Sequence, residues 1–275
     1  MKKFIYSLIS IAIIGITIIS CNKSDELEFK NEKLKVSDFE YIGKLHNQGL
    51  ELSLEELKSM DFNLKGSKLS KKESLIELQK NISIKFVNEQ IGSDELKAIA
   101  ISQIQDGIND YNSFDLKLKS TQNNFIPDSL LSKISVDAKN QLHNLFDIMN
   151  DSDMNLSSLK SRISAIEEKA IQTLNTEEQF LILSTSSVAK STLDYWSANY
   201  KEWLKLNDQS LKSLDWKAAG QADVGGAALA GLGLAVSGTG AAMAAAGPAG
   251  WAGIGLVVVG RGLQASAARM ILGLW

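Results

Sequence analysis

Apolar residues recur three to five positions apart through most of the chain, which is the spacing of one face of a helix. The stripes with this spacing are Phe39, Ile42, Leu45 and Leu50; Leu75, Leu78, Ile82 and Val87; Leu130, Leu131, Ile134, Leu142, Leu145, Phe146 and Met149; and Leu156, Leu159, Ile163, Ile166 and Ile171. No convincing run alternates with the period of a half-buried strand. The pattern predicts an all-α fold, a bundle of about five to seven helices.

Local signals predict where several of these helices begin. The segments 53–56 and 176–179 match the capping box, in which two side chains satisfy backbone amides at a helix start. Pro127-Asp128 is also typical of a helix start. The signal at 176–179 begins a long segment, from Glu177 to Leu206, that is predicted to be helical. Only two prolines occur in 275 residues, so long stretches are free to be helical.

The last quarter of the chain has a different composition. Thirteen of the 20 glycines lie between Gly220 and Gly262, and no charged residue occurs from Val224 to Gly260. Small residues recur four apart, a pattern that lets helices approach closely inside lipid. In water each glycine costs a helix up to about 1 kcal/mol relative to alanine, so such a helix needs tight packing or a membrane. The composition divides the chain into a helical bundle, residues 37–215, and a Gly/Ala-rich hydrophobic hairpin, residues 216–275.

The hairpin has two alternative turns. Gly247-Pro248 would separate two helices of nearly membrane length, whereas a turn at residues 237–240 would leave two shorter ones. Arg261 and Arg269 argue against a plain two-span anchor, because charges are expensive inside a bilayer. The residues expected to associate with a membrane are Trp216, Gly226, Ala230, Gly231, Ala235, Gly247, Pro248, Trp251 and Trp275.

The tryptophans all lie late in the chain. Trp196, Tyr200 and Trp203 share one helix face, and this spacing favours ordinary core aromatics of the last bundle helix. Trp216 and Trp275 flank the Gly-rich segment, and tryptophan is enriched at membrane interfaces. We therefore expect the first three in the core and the flanking two at an interface.

The N-terminus has the form of a secretory signal. Lys2 and Lys3 precede an apolar run from Phe4 to Ile19, which is shorter than the roughly 20 residues that span a bilayer. The run ends in Ile18-Ile19-Ser20-Cys21, which resembles the lipobox of bacterial lipoproteins. The resemblance implies that residues 1–20 are removed and that Cys21, the only cysteine in the chain, is acylated and attaches the protein to membrane lipid.

The residues that follow Cys21 bear on the destination of the protein. Residues 21–36 form a polar tether whose start, Asn22-Lys23-Ser24-Asp25-Glu26, resembles the acidic export signal of Bacteroidota lipoproteins. This resemblance implies a lipid-anchored protein in the outer membrane, exposed at the cell surface. Two or three acyl chains hold a protein durably on a membrane where one does not.

Charge and chemistry exclude several functions. Removing Lys2 and Lys3 takes the formal charge from −3 to −5, so we expect no nucleic-acid partner. His46 and His143 lie far apart and outside any metal-ligand motif, and we expect both on polar helix faces, with no metal. Neither a nucleophile elbow nor a phosphate-binding loop occurs. The sequence therefore predicts a protein that is not an enzyme and has no cofactor.

The Gly-rich segment, about Gly220 to Gly262, resembles the glycine zippers of bacteriocin-like peptides and some pore-forming proteins. Together with the expected anchor, this resemblance favours a tail that inserts into or associates with membranes, as in a bacteriocin-like antagonism factor. The alternative is a structural or interaction lipoprotein whose tail packs inside its own bundle or drives homo-oligomer assembly.

Overall fold

The computed structural model describes residues 34–59, 68–92, 126–151, 154–206 and 216–236, together with most of 94–105 and 253–265. These residues belong to one compact unit, Lys33–Trp275. Every regular element in this described part of the chain is a helix, which confirms the all-α prediction.

The described part of the chain contains two short helical turns and several longer helices. A 3₁₀ turn at Val36–Phe39 leads into the first helix, and a one-turn helix lies at Asp128–Leu131. The longer helices are α1 (Glu40–Ser59), α2 (Lys68–Gln90), α3 (Val136–Asn150), α4 (Leu156–Thr173), α5 (Thr176–Leu204) and α6 (Trp216–Val236). Residues 255–265 are also helical and are called α7.

Three consecutive helices begin at a side-chain cap. The side chains of Ser135, Asn155 and Asn175 accept hydrogen bonds from backbone amides in the first turns of α3, α4 and α5. At α5 the acceptor is Asn175 and the donor is the amide of Glu178, so the cap lies one residue before the predicted Thr176. These caps satisfy amides that a helix start otherwise leaves without a partner.

The predicted helix start at residues 53–56 is wrong. Ser53 lies inside α1, where its hydroxyl donates to the carbonyl oxygen of Gly49 at 2.9 Å. Leu50, Leu54 and Leu57 are buried on the same side of the helix, so the apolar stripe continues through Ser53. Continuous burial of this stripe stabilises one long helix, and the serine needs no capping role.

Helices α5 and α6 lie at the centre of the bundle. Every residue from Phe180 to Ala189 of α5 is buried, although this stretch includes four consecutive hydroxyl side chains. α6 runs antiparallel to α5, since Gly220 lies next to Thr192 whereas Gly231 lies next to Leu181. Of the other described helices, α1, α3 and α4 are each in contact with α5, and α2 packs against α1.

The late aromatic residues form part of this core, as predicted. Trp196 and Trp203 are fully buried, and their ring centroids lie 5.2 Å apart. The indole of Trp203 donates to the hydroxyl of Tyr195 at 3.1 Å. Tyr200 is partly buried against the same cluster. Pairing the indole N–H lets a large aromatic ring be buried without leaving its donor unsatisfied.

Candidate functional site

The residues expected to associate with a membrane divide into two groups. Those outside the described residues are Cys21, Gly247, Pro248, Trp251 and Trp275, together with both alternative turns of the hairpin. Those in α6 are Trp216, Gly226, Ala230, Gly231 and Ala235. Gly226, Ala230 and Gly231 are buried, whereas Trp216 and Ala235 are partly buried. The tail residues that the structure describes therefore face neighbouring helices of the same chain.

The glycines of α6 allow contacts that a larger residue would prevent. A Cβ atom on Gly226 would lie 2.8 Å from the carbonyl oxygen of Arg261 in α7. A Cβ on Gly231 would lie 2.8 Å from a methyl carbon of Leu181 in α5. Real Cβ atoms almost never come so close to another heavy atom. The small-residue pattern of the tail thus serves close helix packing within the bundle.

Glycines of α1 and α7 also make close contacts at this interface. In α1, a Cβ on Gly49 would lie 2.6 Å from a methyl carbon of Leu263. In α7, a Cβ on Gly262 would lie 3.2 Å from the His46 ring and 3.3 Å from the carbonyl oxygen of Asp223. Glycines in α1, α6 and α7 therefore allow these three helices to approach one another closely.

A buried carboxylate lies at the centre of this meeting point. Asp223 of α6 is fully buried and accepts hydrogen bonds from the indole N–H of Trp196, at 2.6 Å, and from the hydroxyl of Thr192. Its other oxygen lies 3.0 Å from Nε2 of His46 in α1, which is also fully buried. We call Asp223, His46, Thr192 and Trp196 the Asp223 cluster.

His46 was expected on a polar helix face, and for this residue that prediction is wrong. His46 lies on the buried side of α1, together with Ile42, Gly49 and Leu50. His143 is exposed, as expected. One feature of the sequence could have indicated a buried partner for His46. Asp223 is the only charged residue of α6 beyond Lys217. A lone carboxylate in an apolar helix needs a buried donor, and a histidine can supply one.

A second set of polar contacts joins α1 to α5. The hydroxyl of Ser187 donates to the carbonyl oxygen of Phe39 at 2.7 Å and accepts from the amide of Gly43 at 3.0 Å. The side chain of Asn47 donates to the carbonyl oxygen of Ser191 at 2.9 Å. The bond from Gly43 pairs an amide in the first turn of α1, where helix starts lack internal acceptors, and the other two bonds tie α1 to α5.

Burial also changes the ionisation of groups near the centre. Desolvation raises the pKa of Tyr195, although the hydrogen bond from Trp203 opposes this, and burial likewise raises the pKa of Tyr41. Desolvation raises the pKa of Glu167, even though Lys190 of α5 donates to its carboxylate at 2.7 Å. Each shift favours the neutral form of a buried side chain.

The geometry of the Asp223 cluster is that of a structural network. Both titratable members are fully buried, and Nδ1 of His46 lies 3.4 Å from the side-chain oxygen of Asn47 in the same helix. This arrangement orients donors around one carboxylate and holds three helices together. Among the residues that the structure describes, no group of three or more His, Cys, Asp or Glu side chains is placed to hold a metal ion.

One described helix is long and apolar enough to cross a membrane. This helix is α6, and 72% of its most apolar 18-residue window is buried inside the bundle. Length and composition of this kind are shared by membrane spans and by core helices of water-soluble proteins.

Comparison with protein-family models, with curated proteins and with solved structures gave no match to this chain.

Proposed function

We propose that the protein is a non-enzymatic, membrane-anchored lipoprotein whose Gly-rich tail packs inside its own bundle. In this role it presents a helical body at a membrane surface for structure or interaction. The observation that carries the proposal is the fit between α6 and its neighbours. Gly226 and Gly231 meet backbone and side-chain atoms of α7 and α5 at distances that admit no Cβ.

The energetics of glycine support an internal role for the tail. A glycine inside a helix costs up to about 1 kcal/mol relative to alanine, and this cost must be offset elsewhere. Close packing offsets it here, because Gly226 lies against Ala265 and the backbone of α7 and Gly231 lies against Leu181 of α5. In lipid the same glycines would gain from helix contacts too, but the bundle already provides those contacts.

The anchor at Cys21 forms the other half of the proposal, and sequence resemblance alone supports it. Acylation would hold the protein on the outer membrane, while the acidic tether would favour its outer face. Replacing Cys21 with serine should abolish incorporation of labelled palmitate and release the protein from the membrane fraction. Unchanged labelling of the Cys21→Ser variant would argue against this anchor.

Vesicle experiments test the proposed role of the tail. The chain from Asn22 onward would be added to dye-loaded vesicles of phosphatidylethanolamine and phosphatidylglycerol, with leakage and flotation both measured. We expect a folded protein that causes no leakage and does not float with the vesicles. Concentration-dependent leakage by the folded protein would contradict an exclusively internal tail. Size-exclusion chromatography of the same sample would report homo-oligomer assembly.

A second candidate function is insertion of the tail into a membrane, as in a bacteriocin-like antagonism factor. The observation that favours it is α6, whose length and apolar composition suit a membrane span. In this case the bundle would store the helix, and a trigger would release it toward lipid. Asp223 would then exchange its buried donors for a costly position in the bilayer.

A disulfide lock distinguishes the two candidates. A Cβ on Gly231 would lie 3.6 Å from the Cα of Leu181, so thiols at these two positions are within disulfide reach. In the Leu181→Cys, Gly231→Cys variant, leakage that vanishes on oxidation and returns on reduction would support insertion. The single variant Leu181→Cys is the matched control. No leakage in either redox state would favour the internal tail.

A further inference from the structure

The packing face of α6 repeats every four residues. On this stripe lie Ala219, Asp223, Ala227, Gly231 and Ala235, of which the first four are buried and the last is partly buried. Four of the five are alanine or glycine. A shift of α6 by four residues, about 6 Å along its axis, would therefore place one small residue where another had been. Such a shift would bring an alanine to the positions of Gly231 and Gly226, so close packing opposes it in part, and a further contribution must come from a residue that the alanines cannot replace.

Asp223 is the residue that breaks this repetition. In the observed position its carboxylate lies beside donors from two helices, His46 of α1 and Thr192 and Trp196 of α5. A shift by four residues in either direction would put Ala219 or Ala227 at the centre of the cluster. The three donors would lose their acceptor, and the carboxylate would be buried against apolar neighbours.

The size of this penalty decides which register is populated. Leaving a buried charge without its partners disfavours a conformation by about 100-fold or more. No other residue of the stripe carries a polar side chain that could impose such a penalty. A single buried polar residue is known to fix the register of helices whose apolar contacts would allow several.

We propose that Asp223 is a positioning residue that sets the register of α6 within the bundle, through its hydrogen bonds to His46, Thr192 and Trp196. The stripe of small residues supplies close packing, and the carboxylate selects one of the positions that this packing allows. Asp223 sets this register in the folded bundle, whether the tail stays there or is later released to a membrane.

Disulfide trapping can measure the register directly. The chain from Asn22 onward lacks the native cysteine, so introduced thiols are the only ones. Leu181→Cys would be combined with Gly231→Cys to report the observed register. Leu181→Cys combined with Ala227→Cys or with Ala235→Cys would report shifts of four residues in either direction. Initial rates of disulfide formation under mild oxidation would be compared by mass spectrometry.

With Asp223 present, we expect the 181–231 disulfide to form at least about tenfold faster than either shifted pair. In the Asp223→Ala background this preference should fall about tenfold, since the contribution of the carboxylate to the register penalty is gone. Asp223→Asn is the matched control. Its amide oxygen can accept from Trp196 and its amide nitrogen can donate to a ring nitrogen of His46, so it should keep the preference. Loss of the preference in folded Asp223→Asn would overturn the hydrogen-bond basis of the proposal.

Loss of stability alone would not produce the shifted disulfides, provided that the variant is folded. Circular dichroism would establish folding for each background before trapping. If Asp223→Ala does not fold, the double variant His46→Leu, Asp223→Ala removes the unpaired imidazole and gives the same comparison. A folded background without Asp223 that still forms only the 181–231 disulfide would overturn the proposal.

Discussion

Asp223 carries a charge into a region made almost entirely of alanine, glycine and leucine. Its oxygens are surrounded by donors from α1 and α5, so the cost of removing the carboxylate from water is offset by specific hydrogen bonds. The same donors would be costly to bury if the acceptor were absent. At the scale of single residues, the bundle therefore depends on matching a few polar atoms rather than on excluding them.

Glu167 shows the opposite balance. Its carboxylate is buried beside Lys190, yet desolvation outweighs the ion pair, and the pKa is raised above its ordinary value of 4.5. The folded state therefore binds the proton more tightly than the unfolded chain does. Stability from this group is fully present below the ordinary pKa and is lost as pH rises through the raised pKa.

Glu167→Gln removes this titration and tests its sign. We expect the free energy of unfolding of the variant to equal that of wild type at about pH 4 and to exceed it increasingly up to about pH 7. Urea denaturation at several pH values measures the difference. Glu89→Gln, on the exposed side of α2, is the control for the removal of one carboxylate. A wild type that gains stability over Glu167→Gln as pH rises would contradict the prediction.

At the scale of helices, glycine has two opposite effects in α6. Gly226 faces α7, where a Cβ would lie 2.7 Å from the Cβ of Ala265 and 2.8 Å from a backbone oxygen. Gly233 lies on the partly exposed side of the same helix. The helix preference for alanine is the same at both positions, so any difference between them comes from packing.

Gly226→Ala should lower the free energy of unfolding by about 1–3 kcal/mol, because the backbone of α7 cannot yield as a flexible side chain would. Gly233→Ala should raise it by up to about 1 kcal/mol through helix propensity. Thermal and urea denaturation of both variants provide the comparison. Equal effects of the same sign at the two sites would show that α6 is not packed against α7 as described.

The start of α5 offers a second test at this scale. Asn175 caps the helix, whereas Thr176 is an exposed first residue. Asn175→Ala should cost about 1 kcal/mol of stability, the usual value for loss of an N-cap, and Thr176→Ala only a few tenths. Chemical denaturation of the two variants measures both. The reverse order would mean that the capping box predicted at residues 176–179 forms in solution.

At the scale of the whole molecule, the Gly-rich tail and the polar body share their core. The buried clusters combine residues of α5, such as Trp196 and Leu181, with residues of α6, such as Ala227 and Leu232. The core of the described body is therefore continuous with that of the tail, although the two parts differ sharply in composition. Removing the tail would expose one side of α5 to water.

A chain that ends at Leu206 should consequently fail to form the native bundle. We expect loss of near-ultraviolet circular dichroism, binding of a hydrophobic dye, and rapid proteolysis within α5, because that helix loses the partner covering its buried residues. Limited proteolysis of the full and shortened chains gives the direct comparison. A shortened chain that retains cooperative unfolding would mean that residues 37–206 form a domain without the tail.

Sequence patterns predict the helical class of the described bundle, several helix positions and the core role of Trp196 and Trp203. Each of these follows from periodicity along one segment, which local physics controls. Tertiary structure decided the surroundings of the tail, the burial of His46 and its pairing with Asp223. These two residues are 177 positions apart. No local pattern encodes that contact, because a Gly-rich helix can pack closely either in lipid or in protein. The hydrogen-bond donors to Asp223 and the surfaces that fit the glycines come from other helices, which only the folded chain brings together.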